Sequence, residues 1–350
     1  MTLSMINKYN KQLMTVVRDR NKKPYLRIAL EAIHFGIFKK EFPSFYFGKF
    51  LYRKGIKNYN QYLSSKEVDK ITFSKKFHKY EYASLLRNKL AFSLFTENNK
   101  LATPKLISYN FKKTFFLNSK TFTITSKYQL YDFFSNYFEL TSLKKIFLKP
   151  LADMGGVGCM VMTKDTLKED IKIYGSNILA SDCVHQEVVI QHSEINKIYA
   201  HCINTIRFDT YIDKGNNIHI LSAMMRFGQG GSFVDNASAG GFYVPLDMIN
   251  GELKEKGCQR LKYGGKELLS HPDTGVIFKG YKIPFFKEAC DLVIQAVTKI
   301  PDRIVGWDIA ISKDGPVLIE GNDNNSFITP DIAYGGYLGH PMFQEIMKEA

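Results

Sequence analysis

Asp308, Glu320 and Asn322 are the residues of this sequence best suited by type and spacing to hold a divalent cation. They fall in VGWDIAISKDGPVLIEGN, residues 305–322, two alternating apolar runs broken by Lys313-Asp314-Gly315-Pro316, a strong turn signal. A turn centred on Asp314 sets Asp308 opposite Glu320, at the roughly 4.5–5.5 Å Cβ spacing of cross-strand pairs. Asn322, two residues beyond Glu320, then shares their face, while Val305, Trp307, Ile309, Val317 and Ile319 point to the other side and into a core. Facing carboxylates repel unless a cation lies between them. Two acids and an amide oxygen form a hard-oxygen set that suits Mg²⁺, with nucleotide phosphates completing the shell. A half-solvated hairpin with an incidental acidic pair is the competing reading.

A second group lies in IFLKPLADMGGVGCMVM, residues 146–162, where a strand delivers Lys149 to Pro150 and a loop containing Gly155, Gly156 and Gly158. Glycines let backbone N–H groups approach phosphate, and a lysine adds a point charge. No Gly-Lys-Ser/Thr ends the loop and the spacing is not a dinucleotide fingerprint, so a plain glycine hairpin fits as well. Glu187 sits in the apolar run VHQEVVIQ and needs a donor if buried. An adenine amino group or a ribose hydroxyl would serve, with the Val189 backbone pairing to the base; a wet strand face is the alternative. Arg207 alternates with Ile206 and Phe208, and Arg226 ends the next strand. Either guanidinium suits a γ-phosphate or a developing acyl phosphate, and either suits a structural ion pair. Asn236 and Ser238, in the small polar loop Val234 to Gly241, offer contacts to an acceptor or form a connecting turn. The glycines of Thr329 to His340 suggest a mobile flap beside the metal site. His185, His192 and His201 read as structural or rim residues.

The elements that must position these groups are mixed. Residues 1–70 read as helical and 76–100 as one helical stripe. Strands are expected at 119–127, 145–151, Cys183–Gln191, Thr205–Ile212, Ile218–Met225 and Phe242–Leu246. An amphipathic helix, Phe285–Lys299, precedes the hairpin. This is an α+β pattern, divided here into a basic region 1–75, a segment 76–192 and a segment 193–350.

A chain of 350 residues accommodates two or three packed subdomains. No apolar run approaches the roughly 18–20 residues of a membrane span. The N-terminal stretch lacks the apolar core of a secretory signal, and five scattered cysteines without a CxxC fit thiols in a reducing cytoplasm. Residues 1–60 carry 13 Lys or Arg against 3 acids, +10 of the chain's formal +14. Three readings fit: a basic packed cap, a surface that meets anionic membrane through an amphipathic Leu26–Phe38 helix, and nucleic-acid binding. Glu31 and His34 count against the second, and no recognisable motif supports the third.

In order, these features resemble the ATP-grasp superfamily, and within it the sugar-transfer-associated group. The resemblance is carried by HQEVVIQHSEINKIYAHCINTIRFDT, VDNASAGG and VGWDIAISKDGPVLIEGN, and covers roughly residues 85–340. It implies an ATP-grasp fold, two α+β subdomains clamping ATP, with the N-terminal region outside the shared nucleotide site. It assigns Lys89 and Lys149 to phosphates, the glycines to a lid, Glu187 to the adenine or ribose pocket, and Asp308, Glu320 and Asn322 to one or two Mg²⁺. The chemistry it implies is carboxylate–amine ligation through an acyl phosphate, on a carboxylate-bearing sugar in bacterial surface polysaccharide (capsule or O-antigen) assembly. The implied setting is cytoplasmic, at the inner membrane face if the basic region binds there, with a sugar acid and an amine as partners and no nucleic acid. A kinase acting on a hydroxyl and a non-catalytic scaffold are the alternatives.

Overall fold

The computed structural model describes residues 12–151 and 158–350 of the chain. The basic N-terminal segment is helical: α1 (12–18), α2 (Tyr25–Lys39), α3 (Ser44–Gly48) and α4 (Ser65–Thr72). A capping box, Ser64 with Glu67, starts α4. Phe35, Tyr46, Phe50, Leu51 and Tyr52 form a small core that includes Leu261 from much later in the chain. Lys49 is fully buried within this segment and pairs with Asp331 at 2.5 Å. The N-terminal region is therefore docked by charge as well as by apolar packing.

The stripe expected over 76–100 is two helices, α5 (Tyr80–Arg87) and α6 (Lys89–Asn98). Asn88 breaks it by leaving helical geometry, and its side chain accepts from Leu90 and Ala91 N–H to cap α6. Leu86 and Phe92 enter the core shared with the second sheet, while Glu97 accepts from Leu106 N–H and Ser93 Oγ from Gln186 Nε2, so α6 touches both halves.

The first sheet contains β1 (Leu106–Phe111), β2 (Thr114–Leu117), β3 (Lys120–Thr123), β4 (Lys145–Pro150), β5 (Met160–Thr163) and β6 (Asp182–Glu187), in spatial order β3-β2-β1-β6-β4-β5. The strand expected over 119–127 stops at Thr123, because the Ser126 side chain caps α7 (Lys127–Leu140). Leu130, Phe134 and Phe138 of α7 and Ile171 and Ile178 of α8 (Leu167–Ala180) pack on Ile146, Leu148 and Met162. The strand expected to reach Gln191 ends at Glu187. The chain then crosses to the second sheet, where Lys313 N–H donates to Ile190 O at 3.0 Å and His192 N–H to Ile311 O at 2.9 Å.

After α9 (Ser193–Ile198), the second sheet collects β7 (Thr205–Ile212), β8 (Ile218–Phe227), β9 (Phe242–Pro245), β10 (Gly257–Gln259), β11 (Glu267–Leu268), β12 (Ile304–Ser312) and β13 (Gly315–Asn322). Its order is β11-β10-β9-β8-β7-β12-β13, with every pairing antiparallel. Val305, Trp307, Ile309 and Ile311 alternate onto the face covered by α10 (Phe286–Lys299). The opposite face carries polar residues and is closed by α11 (Ile328–Ala333) and α12 (Pro341–Glu349).

The hairpin differs from the expected one in a telling way. Ser312 pairs with Gly315, a two-residue turn at Lys313-Asp314 rather than one centred on Asp314. Continued unbroken, that register would put Ile319 opposite Asp308. A bulge between Asp308 and Ile309 pairs Ile309 with Leu318 and Asp308 with Glu320. The tight turn also changes the facing: pairing with Ile309, Leu318 enters the core, and Val317 and Ile319 do not. The flap expected at 329–340 is packed instead, with Asp331 and Tyr337 buried and Tyr337 stacked on Phe343.

Candidate active site

Strand register alone aligns Arg207 on β7, Asp308 on β12 and Glu320 on β13. Asp308 is 1% exposed and gripped from two sides. Arg207 places Nε 2.5 Å from Oδ1 and Nη2 3.1 Å from Oδ2, while Arg226 Nη2 lies 2.9 Å from Oδ2. Burial pushes the Asp308 pKa up, but the two guanidinium charges override it and hold the carboxyl well below the usual carboxylate range. Glu320 behaves oppositely. Burial and the charge of Asp308 push its pKa up, against the pull of Lys149. Lys149 Nζ stands 3.9 Å from Glu320 Oε2, and Asn322 Nδ2 lies 3.4 Å from Glu320 Oε1.

The two lysines lie on different elements. Lys149 arrives on β4 of the first sheet. Lys89, at the start of α6, donates to Pro150 O at 2.6 Å. Arg87, one turn end earlier, grips Asp323 through Nε (3.0 Å) and Nη2 (2.6 Å), tying α5 to the end of the hairpin. The glycine loop begins beside these lysines. Gly158 has φ +72°, a conformation that favours glycine, while Gly155 and Gly156 lie outside the described residues.

Glu187 stands at the end of β6, half-exposed, with Lys105 Nζ at 3.9 Å. Val189 lies in the crossing segment, and among the described residues its backbone N–H and C=O make no hydrogen bond. Both are therefore available at the edge where the two sheets meet. Asn236 and Ser238 lie in a connecting turn, the alternative expected for them. Asn236 Oδ1 accepts from Ser238 N–H and Oγ, both at 2.8 Å, capping the turn Ala237–Ala239. No contact among the described residues joins either side chain to Arg226 or Asp308. Short Asx side chains satisfy nearby backbone first.

Several positioning residues had no spacing signal in the sequence. Asp235 accepts from Thr205 N–H (2.9 Å) and Oγ1 (2.6 Å) and lies 3.4 Å from Arg226 Nε. Asn325 bridges Asp209 and Arg207: its Nδ2 is 2.6 Å from Asp209 Oδ1, and its Oδ1 is 3.4 Å from Arg207 Nη1. It fits because Gly306 has no Cβ, which would come within 3.0 Å of the amide. Polar residues flanked by strand signals read as loop or wet face, and only the folded register shows them to be buried partners.

The donor types suit Mg²⁺, and of the two acids Glu320 is the one whose oxygens are not already taken by guanidinium N–H groups. The set consists of two carboxylates and an amide oxygen, without His or Cys, and Glu320 carries a charge its surroundings disfavour. Among the described residues no group of three or more His, Cys, Asp or Glu gathers, so a metal here must take further ligands from phosphate or water, as Mg²⁺ does.

A comparison with curated proteins gives no match. Among solved structures the chain is similar to D-alanyl-alanine synthetase A from Vibrio cholerae, with a TM-score of 0.44 and 12% identity over 77% of this chain and 66% of that one. It is similar to L-amino acid ligase from Bacillus licheniformis (TM-score 0.41, 14% identity, 76% of this chain, 49% of that one). It is also similar to N5-carboxyaminoimidazole synthetase from Staphylococcus aureus (TM-score 0.39, 12% identity, 72% and 52%). The chain thus spans less than two thirds of the length of each of these proteins. A family model described as sugar-transfer associated ATP-grasp matches residues 69–346, and the chain belongs to that family.

Proposed function

We propose that this protein is an ATP- and Mg²⁺-dependent carboxylate–amine ligase that forms an amide through an acyl phosphate, acting on a carboxylate-bearing sugar during surface polysaccharide assembly. The observation that carries the reading is the meeting of Asp308, Glu320, Asn322 and Lys149 at one point between two sheets, with Lys89 beside Lys149. Lys89 and Lys149 bind the triphosphate and neutralise its charge. Glu187 and the Val189 backbone take the base and ribose. Asp308, Glu320 and Asn322 would hold Mg²⁺, which would supply Lewis-acid neutralisation of phosphate charge. Arg207 and Arg226 hold Asp308 rigid and offer positive charge where the acceptor carboxylate meets the γ-phosphorus. The carboxylate oxygen bonds to the γ-phosphorus as its bond to ADP breaks; the amine nitrogen then attacks the acyl carbon, the C–O bond to phosphate breaks, and inorganic phosphate and a proton are released. The protein's share is orientation and charge, which accords with a site built from lysines, arginines and acids.

The test is a screen of uronic-acid sugars against amines, following ADP release and product mass. Full turnover that requires both substrates, with an amide product, supports the proposal. Phosphate retained on an acceptor hydroxyl would replace it with a kinase. Undiminished function in the Asp308→Ala, Glu320→Ala double variant would replace it with a scaffold.

No helix among the described residues is long and apolar enough to cross a membrane.

A further inference from the structure

Helix α2 is apolar on two opposite sides. Ile28, Ala32 and Phe35 face the N-terminal core. Leu26, Leu30, Ile33 and Ile37, spaced four-three-four, fall on the reverse face and are 74%, 61%, 60% and 74% exposed. Phe42, just past the helix, is 82% exposed. A helix apolar on all sides is normally buried on all sides, and a contiguous apolar surface of this kind marks an interaction face.

Charge identifies the occupant. The three acids of this region are all turned inward: Asp19 to Arg53 at 2.8 Å, Glu31 to Lys23 and Tyr46 at 2.5 and 2.8 Å, and Glu41 to Ser65 N–H at 3.0 Å. Arg18 and Arg20 before the helix and Lys40 at its end are exposed. The apolar stripe is thus bracketed by cations with no acid beside it at the surface. Two copies of the chain meeting through this helix would bring like charges together whether the helices ran parallel or antiparallel. We propose that this face lies on an anionic lipid surface, with the stripe and Phe42 in the acyl boundary and the bracketing cations at the headgroups. The inference goes beyond the ligase reading and does not rest on it.

The test is flotation of the full chain with vesicles of phosphatidylcholine alone and of phosphatidylcholine with roughly one third phosphatidylglycerol. Expected is binding to the anionic vesicles that weakens with salt, falls about tenfold or more in Leu30→Ser, Ile33→Ser, Ile37→Ser, and falls in Arg18→Gln, Arg20→Gln, Lys40→Gln. All six side chains are exposed, so thermal unfolding should be unchanged in both variants. Failure to bind anionic vesicles, or a concentration-dependent dimer abolished by the apolar variant, would overturn the proposal.

Discussion

Replacing Lys49 by Met should destabilise the whole protein although Lys49 lies outside the segment matched by the family, residues 69–346. Its ammonium is buried 2.5 Å from Asp331 and also donates to Leu63 O at 2.6 Å. Burial is the largest influence on both groups and opposes both charges, so each depends on the other. Removing one partner of a buried pair costs about 3–5 kcal/mol. The lower end applies here, because Asp331 keeps Leu63 and Tyr337 N–H donors at 3.0 and 2.6 Å. Against a total stability of about 5–15 kcal/mol, a loss of about 3 kcal/mol is large. Urea unfolding at neutral pH measures it. The pH dependence has a definite sign: with its countercharge gone, the Asp331 pKa rises further above its unfolded value. The folded variant then gains a proton, and stability, as pH falls through that pKa, so its deficit narrows toward acid. The double variant Lys49→Met, Asp331→Asn should lose less than the sum of the two singles by at least 1 kcal/mol or so. Additive singles, or a loss below about 1 kcal/mol in Lys49→Met, would show that the pair does not hold the N-terminal region in place.

Glu320→Gln should abolish ATP turnover and the thermal upshift given by Mg-ADP, while the ligand-free protein at neutral pH unfolds no more easily than the parent; a marked loss of ligand-free stability would contradict the charge balance described for this site. Arg226→Met should lower kcat by about 10²–10³, as removal of a transition-state donor does, with a smaller change in KM for ATP; an unchanged kcat in steady-state assays would assign Arg226 to structure alone. His185 is buried against Ser108 and Asn110, and burial pushes its pKa down to about 3. A depressed histidine pKa leaves stability intact above about 6.5 and removes it as pH falls, by about 2 kcal/mol at pH 5. Denaturant midpoints of His185→Gln should therefore fall less steeply with acid, and parallel curves would refute this. A Cβ at Gly321 would come 2.6 Å from Leu86 Cδ2 and 2.8 Å from Trp307 Cζ3, so Gly321→Ala should cost about 1–3 kcal/mol by calorimetry.

The sequence made the strands of the second sheet legible wherever apolar alternation was strong: Thr205–Ile212 is a strand with the expected bounds, and the helix expected at Phe285 begins at Phe286. Where single polar residues redirect the chain, the pattern misled. Asn88 and Ser126 each act through one side-chain cap, and neither interrupts the apolar spacing around it. The hairpin shows the subtler limit. Its acids face each other as expected, but a tight turn and a bulge reach together what a single wider turn would reach alone. The facing of Val317, Leu318 and Ile319 distinguishes the two routes, and three consecutive apolar residues carry no periodicity to reveal it. The spacing of titratable residues was legible for Asp308, Glu320 and Lys149. The neighbours that fix them, Asp235, Arg87 with Asp323, and Asn325 over Gly306, depend on pairings between distant segments that no local window contains.

The two acids at the centre of the site are held on different terms, and this difference bears on how such a site can be both stable and receptive. Asp308 has its charge compensated within the protein, by two arginines on adjacent strands, so its position is fixed before any ligand arrives. Glu320 has a lysine at 3.9 Å, a distant amide contact and the more remote charge of Arg226, and its ionised form is disfavoured by burial and by Asp308. The electrostatic cost of the site is therefore concentrated on one side chain, on the hairpin strand nearest the glycine-loop lysine. A cation entering there would relieve repulsion at Glu320, and to bind Asp308 as well it would compete with Arg207 and Arg226 for the Asp308 oxygens. Reversing the roles, with the outer acid neutralised and the inner one uncompensated, would put an unpaired charge in the sheet interior, where desolvation costs several kcal/mol per ion. The placement of both arginines on the inner strands thus keeps the fold intact while leaving the outer carboxylate as the point at which binding energy can be gained.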